Sequence, residues 1–265
     1  MNNYSAEIAL VKNKRGCCDL DTSKGCSSGM RLNENGCYGD CYALRSAKIY
    51  GYDFGKTVLR GFSSREHIGA VVRSINRIEM PFVRIGVTGD PSENWEHTLK
   101  VIDKIKYSNR AIVIITKHWN GLTTKQLSQL SNVNICVNTS ISALDNEALR
   151  VNRLKQYNRL KDYCMSVLRI VSCDFNMDNK KGCQLNKIQD KLFENNNTLD
   201  TVLRVSKNNS YLTNDIINVI SIDFLKKKSL LSMRNKYAFI GHCSVCPEMC
   251  GINFFEIKPN QLTLF

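Results

Sequence analysis

Residues 81–116 read PFVRIGVTGDPSENWEHTLKVIDKIKYSNRAIVIIT, and this stretch decides the fold. Residues 82–88 are rich in branched and aromatic side chains and predict a strand. Gly89, Asp90 and Pro91 make a turn, with Pro91 suited to the first position of a new helix. Trp95, Leu99, Ile102 and Ile105 then recur at helical spacing and predict a buried stripe. Residues 111–116 are almost continuously β-branched, which predicts a strand buried on both faces. The unit is strand, helix, strand.

Reading outward, the same alternation continues. Upstream, Ser63 and Glu66 form an expected capping box for a helix carrying Ile68, Val71, Val72, Ile75 and Ile78, which Pro81 ends. Downstream come a helix at 123–130, a strand at 133–139, a helix at 144–160, a strand at 166–172, a helix at 184–193 and a strand at 201–205. Residues 214–225 read either way, and 237–241 predict a last strand running into Cys243. Residues 6–11 predict a first strand, followed by a cysteine- and glycine-bearing loop to Cys41 and a helix from Tyr42 with Arg45 and Lys48 exposed. Alternating strands and helices imply an α/β fold of about six parallel strands, closing into a full or partial barrel. One domain is expected over 1–265: a cysteine-rich region at 1–62, βα units at 63–241 and a cysteine-rich tail at 242–265. The residues just after the strands are polar or small: Thr88-Gly89-Asp90, Thr116-Lys117-His118, Asn138-Thr139-Ser140 and Ser172-Cys173-Asp174. In a parallel sheet such ends face the site.

The chain has 265 residues, 43% of them hydrophobic, which excludes a disordered chain. No apolar run approaches the roughly 18 residues of a membrane helix, and no secretory leader is seen at the start, so a cytoplasmic location without membrane contact is expected. In that compartment cysteines stay reduced, and metal or redox roles outrank disulfides. The formal net charge is +13, which favours an anionic partner or simply a basic surface. The single basic run, Lys226-Lys227-Lys228, has no interleaved aromatics. The four histidines have no partner spacing, and neither G-x-S-x-G nor a P-loop occurs, which argues against a hydrolase. Cys136 and Cys173 read as packing residues.

Eight of the twelve cysteines fall in two places. One is GCYGDCYA (36–43), with Cys17, Cys18 and Cys26 upstream. The other is HCSVCPEMCG (242–251), where Cys243, Cys246 and Cys250 are spaced x2 then x3. Interleaving with Ser, Pro, Glu and Gly bends a loop so that sulfurs converge, as in an iron–sulfur or zinc site. A three-cysteine set leaves one metal position open. The C-terminal set completes such a site unaided and is expected to hold it, with Cys37, Cys41 and Cys26 supporting it or binding a second metal; the reverse assignment stays open. A zinc knuckle joining the chain ends, with His242 as fourth ligand, is the structural alternative.

These features resemble the radical S-adenosylmethionine superfamily. Its usual signature is C-x3-C-x2-C, of which Cys37 and Cys41 match the first two places while Leu44 stands in the third. Cys26, Cys18 and Cys17 are candidates for the missing ligand. The segment GCYGDCYALRSAKIYG is more narrowly similar to the queuosine-salvage lyases of that superfamily, and to a phage protein family. The resemblance implies a (βα) barrel of radical S-adenosylmethionine type, a [4Fe-4S] cluster and S-adenosyl-L-methionine, with an electron donor such as flavodoxin or ferredoxin. It implies cleavage of the glycosidic bond of queuosine 5′-monophosphate to release the 7-deazaguanine base queuine. The alternatives are another nucleotide or a nucleic-acid lesion as substrate, or a zinc-containing nucleic-acid-binding module; nucleic acid is the less favoured partner. By the same resemblance, Thr88, Gly89 and Asp90 hold the cofactor's amino group, with Asp90 otherwise a helix cap. Asn138, Thr139 and Ser140 contact its ribose or carboxylate, Lys117 and Arg169 face anionic groups, and Tyr42 stacks on adenine.

Overall fold

The structure, a computed structural model, describes residues 5–203, 205, 209, 212–213, 215–218, 228–232 and 237–255. The chain starts with four very short strands, β1 (Ala6–Glu7), β2 (Val11–Lys12), β3 (Cys18–Asp19) and β4 (Ser23–Lys24). Helices α1 (Ser27–Leu32) and α2 (Tyr42–Tyr50) follow, then β5 (Val58–Gly61) and α3 (Arg65–Asn76). Regular alternation then sets in with β6 (Phe82–Ile85), α4 (Trp95–Ile105), β7 (Ala111–Thr116), α5 (Thr124–Ser128) and β8 (Ile135–Ile141). It continues through α6 (Glu147–Leu160), β9 (Met165–Ser172), α7 (Lys180–Phe193) and β10 (Thr198–Val202). A hairpin of β11 (Lys228–Ser232) and β12 (Tyr237–Gly241) precedes the cysteine-rich end.

Seven strands form one sheet in the order β10-β9-β8-β7-β6-β3-β2, parallel throughout except for β2 against β3. The expected α/β class with a parallel sheet is therefore present. Phe82 and Arg84 of β6 and Leu199 and Thr201 of β10 line one small cavity. Four strand spacings of about 4.8 Å would hold these strands roughly 19 Å apart in a flat sheet. The sheet therefore curls, and its concave face encloses the site. A second sheet, β1-β5-β4, lies beside the strand ends, tied in by a parallel bridge from Gly25 to Gly89.

The helices bury the faces that periodicity predicts. Trp95, Leu99, Ile102 and Ile105 of α4 are all buried, in one core with Val83, Ile85, Ile112 and Ile114. Asp90 caps the short 3-10 turn Pro91–Asn94 by accepting from Ser92 N, with Pro91 at its start. Several details differ from expectation. The cap of α3 is Ser64, which accepts from His67 N, while Ser63 Oγ meets the His67 ring. Strand 133–139 lies two residues later, at Ile135–Ile141, and strand 201–205 lies three earlier, at Thr198–Val202. A buried Asp200 interrupts the apolar pattern there. Residues 237–241 do form a strand, but in an antiparallel hairpin and outside the parallel sheet. Most of 214–225, and Lys226 and Lys227, lie outside the described residues. No helix among the described residues is long and apolar enough to cross a membrane.

Candidate active site

A cavity of about 480 Å³ opens at the C-terminal ends of the parallel strands. That is the size of a small-molecule site. Its floor carries Arg84 of β6, Arg169 and Val171 of β9 and Thr201 of β10. Its rim is built by the loops after the strands, with Gly89, Asp90, Lys117 and Trp119, and by Ser140 near the end of β8. The N-terminal cysteine loop closes one side with Cys26, Cys37, Tyr38, Cys41 and Tyr42.

A buried polar network brings that loop to the strand ends. Tyr38 Oη donates to Asp145 Oδ1 at 2.9 Å and accepts from Lys117 Nζ at 2.6 Å. The Asp145 carboxylate also accepts from Ser142 N at 2.8 Å and pairs with the fully buried Arg153. Arg153 Nε in turn donates to Lys117 O at 2.8 Å. Burial opposes the charge on Asp145, but Arg153 and Lys117 outweigh it and hold the carboxyl below its usual range. The other side of the loop is fixed by Glu93, which accepts from Ser28 N at 2.8 Å and Ser27 Oγ at 2.7 Å.

Three thiols line this wall. Gly29 lies against two of them: a Cβ there would sit 3.1 Å from Cys26 Sγ and 3.3 Å from Cys37 Sγ. Cys41 is the electrostatic neighbour of Cys37. Burial raises the Cys26 and Cys37 thiols, so both stay protonated at neutral pH without a metal. Metal uptake would release those protons. Among the described residues no three His, Cys, Asp or Glu side chains are already gathered in metal-binding geometry. Three thiols from two loop segments on one cavity wall nonetheless supply a donor set that suits iron–sulfur ligation with one position left open.

The C-terminal cysteines lie elsewhere. Cys17 and Cys243 pack with Met80, Phe82, Ala111, Val113 and Cys136, at the N-terminal ends of the strands. Cys243, Cys246 and Cys250 line a cavity of about 70 Å³, too small for a nucleotide cofactor. Cys243, Cys246 and Cys250 therefore do not line the larger cavity, whose wall carries Cys26, Cys37 and Cys41. Cys17 enters β3 and Cys26 follows the chain out of it, so the strand itself separates the two groups.

The expected cofactor contacts divide in the same way. Tyr42, Gly89, Asp90, Lys117, Ser140 and Arg169 all line the larger cavity. Asp90 is already committed: its carboxylate accepts from Ser92 N, Ser92 Oγ, Thr116 Oγ1 and Lys117 N. It staples two strand-end loops together, and the capping role is the one seen. Thr88 bonds Asp21, and Thr139 bonds the buried His118 ring at 3.0 Å. Asn138 donates to Cys250 O at 3.0 Å, inside the sheet. Tyr42 Oη donates to Val87 O at 2.5 Å and leaves its ring half-exposed at the rim.

Some lining residues gave no sequence signal. Arg84 forms an ion pair with Asp19 at 2.8 Å across neighbouring strands, and alternation along β6 marks it only as an interrupting charge. Trp119 lines the cavity with an indole N–H that has no partner among the described residues. Comparison with known proteins found no matching family model, no similar curated protein and no similar solved structure.

Proposed function

We propose that the larger cavity is the active site of a radical S-adenosylmethionine enzyme acting on a modified nucleotide, with queuosine 5′-monophosphate cleaved to queuine as the specific reaction. The observation that carries this reading is the placement of Cys26, Cys37 and Cys41 on one wall of a nucleotide-sized cavity at the strand C-terminal ends. Those thiols would hold a [4Fe-4S] cluster in a partial (βα) barrel. When bound, the cluster and S-adenosyl-L-methionine supply one-electron chemistry for hydrogen abstraction from a sugar. Such a route suits a deazapurine glycoside, whose base has no N7 to protonate on leaving.

The chain's own residues bind and orient. Arg169 lines the cavity with a long bond to Asn138 Oδ1, at 3.5 Å, and can turn to a phosphate. Lys117, held by Tyr38, places a second positive charge on the same cavity. Tyr38, Tyr42 and Trp119 offer aromatic surface, and the Trp119 N–H offers a donor to a base acceptor. The reading belongs with a cytoplasmic protein served by flavodoxin or ferredoxin.

The test is anaerobic purification followed by iron and sulfide counts and an assay with S-adenosyl-L-methionine and a reductant. Roughly four irons per cluster are expected, with 5′-deoxyadenosine and queuine released from the nucleotide. A protein that binds zinc alone and releases no 5′-deoxyadenosine removes this reading.

A further inference from the structure

We infer that Cys17, Cys243, Cys246 and Cys250 form a second, separate site that binds one tetrahedral divalent metal ion of the zinc type. The four sulfurs come from both ends of the chain and lie at the opposite end of the strands from the proposed active site. They form two facing pairs. Cys17 packs with Cys243 in one buried cluster as its electrostatic neighbour, and Cys246 has Cys250 as its own.

Two ligands on one ion must be neighbours: zinc–sulfur bonds of about 2.3 Å in a tetrahedron put sulfurs about 3.8 Å apart. A cubane cluster holds each sulfur on its own iron, further from the next. The 70 Å³ cavity that Cys243, Cys246 and Cys250 border has room for an ion but not for a cofactor.

The surroundings fit a metal-bound thiolate. The backbone N–H groups of Glu248 and Met249 lie beside the Cys246 thiol, where they favour its thiolate form, as ligand sulfurs are supported in an outer shell. Arg15 and Arg84 line the same cavity and offset the net negative charge of four thiolates on a divalent ion. The backbone turns sharply to aim Cys250, with φ values of 44° at Met249, 55° at Cys250 and 89° at Gly251. Gly251 admits no side chain, because a Cβ there would lie 2.6 Å from Val167 Cγ2. Two further bonds tie the chain ends: Cys243 N donates to Arg15 O at 2.7 Å, and Arg15 Nε donates to Gly241 O at 2.7 Å.

Cys17 replaces the expected fourth ligand, His242. That ring bonds Ser244 Oγ through Nδ1 at 2.7 Å and is stacked on Gly16. Neither Cys17 nor its neighbours follow a metal spacing with 243–250, so only the fold reveals it.

The test uses the full-length protein, stripped with a chelator and titrated with zinc alone. One zinc per chain is expected, lost in Cys17→Ser and Cys246→Ser and kept in His242→Ala and Cys37→Ser. Zinc retained by Cys17→Ser, or lost from His242→Ala, overturns the site. Should the serine variants fail to fold, alkylation of the wild-type protein decides, mapped by peptide mass. Zinc should slow modification of these four thiols at least tenfold while leaving Cys183 unchanged; equal rates with and without zinc overturn the site. Iron is counted in unstripped samples of the same proteins. Its loss in Cys37→Ser bears on the larger cavity alone, so the two readings fail separately.

Discussion

The two ends of the parallel sheet carry the same chemical element in opposite settings. At the C-terminal ends, three thiols border a cavity of about 480 Å³ rimmed by Lys117, Trp119 and Tyr42. At the N-terminal ends, Cys243, Cys246 and Cys250 border about 70 Å³, and Cys17 packs beside Cys243 among apolar strand residues. Sulfur count and spacing therefore say less about role than the space the sulfurs face. A set with room beside it can present an open metal position to a ligand. A set packed into the end of a sheet can only close a coordination shell and hold chain segments together.

The sharpest break of this comparison sets Cys37→Ala beside Cys243→Ala. The first should abolish 5′-deoxyadenosine release, by a factor of 10³ or more, and lose the cavity iron. The second should keep that iron and instead unfold at lower denaturant concentration. Matching iron losses in both would merge the two ends into one site.

The next effect concerns how the upper cysteine loop is held. Asp145→Ala leaves Arg153 as an unpaired buried charge and frees Tyr38, so a loss of about 3–5 kcal/mol in urea unfolding is expected. Because the lower end does not depend on this network, zinc binding should survive in the fraction that folds.

On the proposed function, substrate recognition belongs to the upper end as well. Arg169→Ala should raise KM for the nucleotide about 10- to 100-fold, the worth of a charged hydrogen bond of about 1.5–3 kcal/mol. Zinc stoichiometry should not move.

The pH dependence of stability also separates the ends. His118, fully buried behind the cavity rim, is pushed down to about 3, chiefly by burial and then by Arg153. An unfolded histidine titrates near 6.5 and so takes up protons that the folded one refuses. Stability is then undiminished above about pH 6.5 and falls as pH drops toward 3, by about 2 kcal/mol at pH 5. Denaturation curves of His118→Gln should lose that slope. The smallest expected change is Asn138→Ala, which removes the bond to Cys250 O that links the inner sheet face to the lower turn. About 1 kcal/mol is expected from thermal unfolding, with the zinc affinity falling more than activity.

Legibility followed the range of the interactions. β7 and the buried stripe of α4 are read directly, because their burial repeats along a single element. β3 escaped, since a two-residue strand has no period, although it seats Asp19 beside Arg84 and divides the cysteines. α6 buries Arg153 and Gln156, a face that polarity assigns to solvent until Asp145 and the Lys117 carbonyl are in view. Asp90 was placed at the right rim, but beside its local bonds from Ser92 it accepts from Thr116 and Lys117, which only the folded chain brings to it.

Local order alone settled the alternation of strands and helices, and with it the parallel sheet, since side-chain periodicity and turn residues act within a few positions. It also showed that most of the cysteines fall in two groups. Which end of the sheet each group occupies was decided by tertiary structure. All parallel strands start at one end and finish at the other, so a thiol's address depends on whether it precedes or follows its strand. For the C-terminal set it depends also on where residues 241–251 dock, through contacts with Arg15, Asn138 and Val167 that lie far away in sequence.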